Sequence, residues 1–280
     1  MTPWSKIAAW YRAHGRDLPW RRTNDPYRIA VSEFMLQQTQ VDRVVPIFTR
    51  FITQFPSWKK LAVAPQADVI RAWKGLGYNM RAVRLKKMAE EIIARHDGRL
   101  PEDSASLLAL KGIGPYTARA LRAFAFRKRA LAPDTNLRRV LNRIFKGPTA
   151  DPKIFEERAW SRWEDTLPEK LSYDVNQGLM DIGATICKAG RPMCAACPMK
   201  ALCRSYPRIL KMKTLPSQKT ARKEHVDALG IPNRIYRGRV IEALRDGPKS
   251  ARALSFAAHV LPGLQKDGLI TRKNGRWMLV

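Results

Sequence analysis

The chain has 280 residues, of which 45% are hydrophobic, and it carries 52 Lys and Arg against 24 Asp and Glu, a formal net charge of +28. The apolar fraction and the eight tryptophans argue against a disordered chain, and the sequence has no apolar run of the length that a membrane-spanning helix needs. Because the basic charge is spread along the whole chain, it indicates a polyanionic partner, with nucleic acid ahead of an acidic membrane surface.

Most of residues 1–203 have the apolar spacing of amphipathic helices. Apolar residues around Trp73 recur at intervals of three and four, and Pro and Gly residues mark the breaks between the predicted helices. Asp103 and Ser104 are expected to cap a helix that runs to Leu110. Since no strand-like alternation occurs here, we expect a compact all-α region. The N-terminus has no signal-peptide core, so we expect an intracellular, cytoplasmic protein (nucleoid-associated in a bacterium) in which disulfides are uncommon.

Glu33 is the first acidic residue whose sequence neighbours suggest a catalytic role. It lies in the apolar helical stretch Val31–Leu36, which is followed by the amides Gln37 and Gln38. An acid with apolar neighbours can have a raised pKa and act as a proton donor. The alternative interpretation is a partly exposed helix residue with no chemical role.

The segment Leu110–Ala118 predicts a hairpin between two helices. Gly112, Ile113 and Gly114 permit a tight turn and a close approach of the backbone. Pro115 suits the first turn of the following helix, whose free backbone N–H groups could bind a phosphate. The alternative is an ordinary interhelical turn.

Asp134 is the second acid of interest. Because Pro133 interrupts any preceding helix, Asp134 is a good N-cap for the helix that follows, and a cap alone is the alternative interpretation. Together with Glu33 it would suit cleavage of an N-glycosidic bond. One acid supplies a proton to the leaving base, while a carboxylate stabilises the sugar cation. Such a pocket needs a flipped-out base but no metal or nucleotide cofactor.

The four cysteines of the chain fall within seventeen residues, with the spacing C-x6-C-x2-C-x5-C. Thiolates gathered in this way bind a soft metal or an iron–sulfur cluster, and a tetrahedral zinc site is the main alternative. Basic side chains in and beside this loop indicate phosphate contacts, with a solvated basic face as the alternative. The cysteines are Cys187, Cys194, Cys197 and Cys203, and the basic residues are Lys188, Arg191, Lys200 and Arg204.

A second periodic unit follows a basic linker. Ile235–Leu244 predicts a helix that Asp246-Gly247-Pro248 ends, and Ser250 is expected to cap a second helix through Ala258. A third helix is predicted over 259–267. Asn-Gly between two strand-like runs in residues 269–280 predicts a terminal hairpin. Three helices and a hairpin resemble a winged helix, and a packing appendage is the alternative.

From about Trp10 to Cys203, the chain resembles the helix–hairpin–helix-Gly/Pro-Asp glycosylases of the endonuclease III superfamily, and within it the MutY-type adenine DNA glycosylases. The hairpin, Asp134 and the cysteine loop occur in the order of that superfamily. The runs that carry the closer resemblance are RDLPWR at Arg16–Arg21, DPY at Asp25–Tyr27, SEFMLQQTQV at Ser32–Val41, GLGY at Gly75–Tyr78 and NQGLMDIGA at Asn176–Ala184.

This resemblance implies a fold and a set of roles. Glu33 would protonate adenine and handle the water, and Asp134 would stabilise the sugar cation, with Asn136 and Tyr116 in support. Arg16 would line the base pocket, and Gln38 and Tyr78 would wedge into the base stack. The DNA backbone would be held by Gly112, Ile113, Gly114, Lys188 and Arg191. The four cysteines would hold a [4Fe–4S] cluster, and duplex DNA with a mismatched or damaged base pair would be the partner of a monomer.

The resemblance also implies two helical subdomains around a DNA-binding cleft. We expect a six-helix barrel with the helix–hairpin–helix over 21–132 and an iron–sulfur domain made of 1–20 and 133–206. A basic linker at 207–230 and a winged-helix-like unit at 231–280 would follow. Tyr116 stands where bifunctional relatives have a Schiff-base lysine, so base removal without strong strand cleavage is expected.

The chain departs from the pattern of the family that it resembles at three points. Thr135 replaces a glycine, Asn79 replaces a second tyrosine, and only 77 residues follow Cys203. We therefore expect the usual Nudix-like C-terminal domain, which reads 8-oxoguanine, to be missing. Our first hypothesis is removal of adenine opposite guanine or 8-oxoguanine. The alternatives are a glycosylase for thymine or uracil opposite guanine, and a non-catalytic DNA-binding protein.

Overall fold

The computed structural model describes residues 2–148, 157–212, 226 and 230–280. The chain divides into two compact units. The cysteine unit comprises Met1–Ile29, Glu102–Leu108 and Ile113–Thr220, and the Glu33 unit comprises Ala30–Pro101, Ala109–Gly112 and Ala221–Val280. Both units are built mainly of helices, which confirms the all-α fold. The finer domain boundaries given above stay predictions.

The helices of the cysteine unit surround one apolar core. They are α1 (Pro3–His14), α8 (Pro115–Phe124), α9 (Thr135–Phe145), α10 (Glu157–Asp165), α11 (Ser172–Asp181) and α12 (Tyr206–Ile209). Fully buried Ile7, Leu141 and Val175 belong to this core. A Cβ on Gly178 would lie 2.9 Å from Ile7 Cγ2, so the glycine permits the close packing of α1 against α11.

Two helices contribute to both units, and four more belong to the first part of the Glu33 unit. The shared helices are α2 (Pro26–Leu36) and α7 (Ser104–Ala109); the others are α3 (Val41–Gln54), α4 (Trp58–Val63), α5 (Gln66–Ala72) and α6 (Met80–Arg95). Asp103 caps the first turn of α7, since its Oδ1 accepts a hydrogen bond from Ser106 N at 2.9 Å, as predicted. Fully buried Phe51 and Trp73 meet edge to face in the core of this unit.

The C-terminal part of the Glu33 unit ends in a small antiparallel sheet. Its elements are α13 (Asn233–Arg245), β1 (Lys249–Ser250), a 3₁₀ helix (Arg252–Val260), α14 (Leu261–Lys266), β2 (Ile270–Lys273) and β3 (Arg276–Leu279). The strand order is β1-β3-β2. Asn274 and Gly275 both have positive φ, 49° and 75°, which suits the tight turn and confirms the predicted hairpin.

The helix predicted to begin after Ser250 differs from the one observed. The segment is a 3₁₀ helix with a kink at Ala257, where φ is −139°. Ser250 pairs with Arg276 in the sheet, and its hydroxyl also accepts from Ala253 N at 3.2 Å. Strand pairing therefore fixes the residue that was expected to be only a helix cap.

The C-terminal elements pack on α5 and α6 through a shared apolar cluster. Ile70 and Val83 from the earlier helices lie in it with Val240, Ile241 and Leu264. Most of the predicted linker, at 213–225 and 227–229, lies outside the described residues. None of the helices in the described ranges is both long and apolar enough to cross a membrane.

Candidate active site and cysteine centre

Glu33 lies on α2, near the end of the helix, with 5% of its surface exposed. Its chain neighbours Ser32 and Phe34 are equally well buried. The helix begins where Asp25 Oδ1 accepts a hydrogen bond from Tyr27 N at 2.9 Å. It ends at Leu36. The structure thus holds a carboxyl group inside the Glu33 unit, with the two glutamines directly after its helix.

Gln38 and Tyr78 are both exposed residues with left-handed backbones, at φ 58° and 45°. Positive φ is uncommon for residues with a Cβ and needs surrounding structure to hold it. Tyr78 lies in the segment Gly75–Asn79, between α5 and α6, which we call the Tyr78 loop. Both side chains are therefore exposed on short turns whose backbone conformation is fixed, rather than on a long flexible loop.

Arg81 supplies the structure that holds these two segments. Its guanidinium donates to the carbonyl oxygens of Phe34 at 3.0 Å and Met35 at 2.8 Å, and also to that of Gln37. On the other side it donates to two carbonyls of the Tyr78 loop, Leu76 O at 2.9 Å and Gly77 O at 3.2 Å. Burial lowers the pKa of Arg81 to about 10, so the side chain stays cationic at neutral pH.

The predicted hairpin lies between α7 and α8, as expected. Gly112 has a φ of 97°, and a Cβ there would lie 3.2 Å from the Phe34 ring, so both conformation and space favour glycine. Gly114 precedes α8, Pro115 is in its first turn, and half-buried Tyr116 follows. A Cβ on Gly114 would meet nothing within 4 Å, which leaves the approach to the helix start open.

Asp134 caps α9, which confirms that part of the prediction. Its Oδ1 accepts from Leu137 N at 2.6 Å and its Oδ2 from Asn136 Nδ2 at 3.1 Å. Burial raises the pKa of Asp134, while these two donors and the charge of Arg139 oppose the rise. The carboxylate is therefore held rigidly, and the groups that touch it favour its ionised form.

A hydrogen-bonded chain leads from Asp134 to the cysteine loop. Arg139 donates to Asn136 Oδ1 at 2.8 Å, to Gly183 O at 2.7 Å and, through Nε, to Cys187 O at 2.8 Å. A Cβ on Gly183 would lie only 2.6 Å from Asn136 Cβ, so this glycine lets the two segments meet. Gly183 belongs to a π-helical turn, Ile182–Ile186, that extends α11 to the first cysteine.

Arg16 is bound to Asp181. Its backbone N and Nε donate to that carboxylate at 2.9 and 2.7 Å, and Arg21 donates to both carboxylate oxygens. Burial alone would raise the pKa of Asp181, but the hydrogen bonds and charges of Arg21 and Arg16 hold it below its usual range. About a third of the Arg16 side chain remains exposed.

The four cysteines line one cavity of the cysteine unit, with apolar walls that include Val140, Ile144, Ile186 and Ile209. Three of them also pack against the core of the unit. Burial, together with the other thiols, raises the pKa of Cys194 and Cys203 and brings that of Cys197 to about 11. In the described ranges, no three Cys, His, Asp or Glu side chains are arranged to hold a single metal ion.

Arg143 anchors the start of the cysteine loop. This buried side chain donates to Lys188 O at 2.7 Å and Ala189 O at 2.8 Å, and it lies 3.5 Å from Cys187 Sγ. Lys188 and Arg191 are exposed on the same loop. Their side chains are therefore available to an outside partner, while the backbone beneath them is fixed.

The sequence interpretation missed Arg81, Arg139, Arg143 and Asp181. Each of the three arginines lies in a helical stretch of mixed polar and apolar residues, and nothing local distinguishes it from a surface arginine. Their partners are mainly backbone carbonyls far away in the chain. Asp181 lies inside the quoted run Asn176–Ala184, so its position was visible although its two arginine partners were not.

Comparisons with known proteins agree with this fold. Residues 31–165 match the family model described as HhH-GPD superfamily base excision DNA repair protein. An adenine DNA glycosylase of Mycolicibacterium smegmatis is 38% identical over 247 residues, covering 86% of this chain and 80% of the relative. One from Mycobacterium tuberculosis is 36% identical over 296 residues, covering 98% and 92%.

A thymine/uracil-DNA glycosylase of Methanothermobacter thermautotrophicus is 34% identical, covering 72% of this chain and 92% of the relative. The solved structure of a thermostable thymine-DNA glycosylase superposes with a TM-score of 0.68 at 33% identity, covering 73% of this chain and 95% of the other. An endonuclease III trapped on DNA, at 20% identity, shares the fold with a TM-score of 0.63, over 74% of this chain and 95% of that chain.

The chain belongs to the HhH-GPD superfamily of base excision DNA repair proteins, and within it to the MutY-type adenine DNA glycosylases. It is a DNA N-glycosylase.

Proposed function

We propose that this protein removes adenine mispaired with guanine or 8-oxoguanine by hydrolysing its N-glycosidic bond. The observation that carries the chemistry is Asp134, a carboxylate fixed by the N-terminus of α9 and by Asn136. The choice of base follows the adenine glycosylases, which match the chain over most of its length at 36–38% identity.

Asp134 stabilises the positive charge that develops on the sugar as the base departs. Two hydrogen bonds prevent the carboxylate from rotating away. Asn136, which donates to Oδ2 of Asp134, is itself held by a hydrogen bond from Arg139. A fixed charge that needs no rearrangement during the reaction lowers the barrier most efficiently. Asn136 acts through Asp134 and is therefore a positioning residue.

Glu33 supplies the proton to the departing adenine and orients the water. Its burial near the end of α2, with Gln37 and Gln38 directly after the helix, supports this role. Tyr116 supports Asp134 at the start of α8. Because no lysine stands there, the reaction has no amine for a Schiff base, and hydrolysis without strand cleavage is expected.

Arg16, Gln38 and Tyr78 contact the displaced base and the gap that it leaves. Arg16 is oriented toward this role by Asp181, and the other two are held in exposed turns by the Arg81 hydrogen bonds. Gly112, Ile113 and Gly114 bind a backbone phosphate with N–H groups at the start of α8, and Lys188 and Arg191 bind further phosphates. The partner is duplex DNA, and the protein acts on it as a monomer.

Cys187, Cys194, Cys197 and Cys203 are the residues that would hold a [4Fe–4S] cluster. All four line one cavity with largely apolar walls, and their spacing C-x6-C-x2-C-x5-C supports a cluster over a single zinc ion. Such a cluster would have a structural role here, because it would connect the loop that carries Lys188 and Arg191 to the neighbouring helix α9. A brown protein with broad visible absorbance supports this assignment, and a colourless protein with stoichiometric zinc contradicts it.

Thymine or uracil opposite guanine is the second candidate substrate. It is favoured by the 34% identical thymine/uracil-DNA glycosylase and by the thymine-DNA glycosylase structure. Single-turnover reactions on otherwise identical duplexes with adenine, thymine or uracil opposite guanine or 8-oxoguanine test both candidates. Adenine release supports the proposal, release of thymine or uracil alone favours the second candidate, and no release of any base contradicts both.

A further inference from the structure

The residues before Asp134 form a buried stretch of irregular backbone in the cysteine unit. Residues 130–134, which we call the Asp134 segment, belong to no helix or strand. Ala130, Leu131 and Ala132 are nevertheless fully buried. A buried backbone N–H or C=O group without a partner costs free energy, so such a segment needs partners from elsewhere in the fold. Here the partners of its N–H groups are side chains rather than a neighbouring strand.

Helix α11 supplies two of these side chains. Asn176 Oδ1 accepts a hydrogen bond from Ala132 N at 2.8 Å, while its Nδ2 donates to Ala130 O at 2.8 Å. Nδ2 also donates to Ser172 O at 2.7 Å, which fixes the amide on its own helix. Ser172 Oγ accepts from Ala130 N at 3.2 Å and donates to Ala130 O at 2.9 Å. Both residues are fully buried, and the amide of Asn176 bonds to the segment as an adjacent strand would.

Helix α10 supplies a third side chain from its last turn. Glu164 Oε2 accepts from Leu131 N at 2.8 Å, and the same oxygen accepts from Arg119 on α8. The side chain of Glu164 is 18% exposed. Arg119 follows Tyr116 by three residues on α8. Glu164 therefore connects the Asp134 segment to the helix that carries Tyr116.

The position of Ala132 largely determines that of Asp134. Only Pro133 lies between them, and its ring restricts the backbone angle φ. Asp134 N donates to Ala132 O at 2.9 Å, which holds this turn. Because α9 begins directly after Asp134, a shift of the segment would move the carboxylate together with the start of the helix that it caps. The cap would be kept, but the distance from the carboxylate to the sugar would change.

We propose that Asn176 and Glu164 are positioning residues for base excision, which act through Asp134 by fixing the segment that ends on it. The inference rests on the proposed function, since the position of Asp134 matters to the rate only if this carboxylate stabilises the sugar cation. Asn176 and Glu164 bond to the backbone before Asp134 and not to the reacting atoms. A misplacement of about 1 Å can reduce a rate by about 10²-fold, so these hydrogen bonds affect catalysis beyond their contribution to stability.

Duplexes with two abasic-site analogues test this assignment. One contains a pyrrolidine ring whose protonated nitrogen imitates the sugar cation, and the other contains a neutral tetrahydrofuran ring. The ratio of their dissociation constants, measured by fluorescence anisotropy, reports how well Asp134 meets a cation on the sugar, whichever base is excised. In Asn176→Ala we expect the preference for the cationic analogue to fall by about tenfold and single-turnover excision by about 10²-fold. Affinity for the tetrahydrofuran duplex should be kept.

Ile7→Ala is the matched control for stability. Ile7 is fully buried in the apolar core of the same unit, on α1. Its truncation leaves a cavity, so we expect Tm to fall, as in Asn176→Ala, while the preference for the cationic analogue and the excision rate stay at the wild-type level. All measurements are made at a temperature at which both variants are folded. The inference is wrong if Asn176→Ala keeps the wild-type preference and rate, or if Ile7→Ala loses them to the same degree.

Glu164→Gln and Glu164→Ala provide a second measurement at a more exposed position, which does not depend on the folding of Asn176→Ala. The hydrogen bonds from Leu131 and Arg119 are accepted by one oxygen, which the amide oxygen of glutamine can replace. We expect Glu164→Gln to stay within about twofold of the wild-type excision rate and Glu164→Ala to lose about tenfold. Equal rates in the two variants would contradict the role of Glu164.

The wild-type protein separates a failure of this inference from a failure of the proposed function. If it binds the two analogue duplexes equally well, the role of Asp134 in the proposed function is contradicted, and the positioning role with it. If it prefers the cationic analogue and Asn176→Ala does so to the same extent, the proposed function stands and the positioning role alone is wrong.

Discussion

Glu33 and Asp134 are held by opposite kinds of surroundings in their separate units. Glu33 lies in an apolar helix with 5% exposure. Asp134 stands at the start of a helix and accepts hydrogen bonds from Leu137 and Asn136. The N–H donors and Arg139 favour the ionised form of Asp134, against the burial that raises its pKa. These surroundings are the basis of the proposal that Glu33 acts as the acid and that Asp134, whose pKa is raised by burial against its hydrogen-bond donors, stabilises the sugar cation.

Glu33→Gln is expected to have the largest effect. The amide keeps the size of the side chain but has no proton to give to the departing base, so we expect the single-turnover rate of adenine excision to fall by about 10²–10⁴-fold. Affinity for a duplex with a non-excisable adenine should stay within about twofold of wild type. A rate that falls less than tenfold would remove Glu33 from the acid role.

Asp134→Asn should be somewhat less damaging to the rate. Asparagine is as good an N-cap as aspartate, so α9 should keep its start while the charge is lost. We expect a loss of about 10²–10³-fold in single-turnover excision, typical of removing one electrostatic stabiliser. Unchanged excision, with Tm and DNA affinity preserved, would contradict the assigned role and erase the contrast between the two acids.

Arg81→Lys tests how the Glu33 unit holds its two exposed residues Gln38 and Tyr78. Lysine keeps the charge, but it lacks the planar guanidinium group that donates to carbonyls of both the Gln38 and the Tyr78 segments. We therefore expect the free energy of unfolding to fall by about 2 kcal/mol. Chemical denaturation measures it, and Arg95→Lys, on the exposed face of the same helix, is the control with no expected change. Equal stability of the two variants would mean that the Arg81 hydrogen bonds contribute little.

Asn136→Ala should produce the smallest effect, a displaced pH profile. In the proposed mechanism excision requires ionised Asp134, so the rate falls as the pH drops through the pKa of that carboxyl. The Asn136 donor lowers this pKa, and its removal therefore moves the acid limb of the single-turnover profile to higher pH. Thr135→Ala, at an exposed neighbour, should leave the limb in place. A limb that moves to lower pH, or does not move, would contradict the proposed role of Asn136.

The sequence predicted those parts of the molecule that depend on local rules. The cap at Asp134, the turn at Gly112 and the terminal Asn-Gly hairpin each follow from the preference of one residue for one backbone geometry. Arg81 and Arg139 were not predictable in this way, because they bind carbonyls that only the folded chain brings to them. Ser250 shows the same limit, since pairing with Arg276 outweighs its preference for a helix start.

The products formed from a duplex with adenine opposite 8-oxoguanine test the central claim most directly. Free base is identified by mass spectrometry, and the substrate strand is analysed before and after alkali. We expect free adenine in the same amount as alkali-labile sites, with an intact strand before alkali. No free adenine, or a strand already cut before alkali treatment, would contradict a hydrolytic adenine glycosylase built on Glu33 and Asp134.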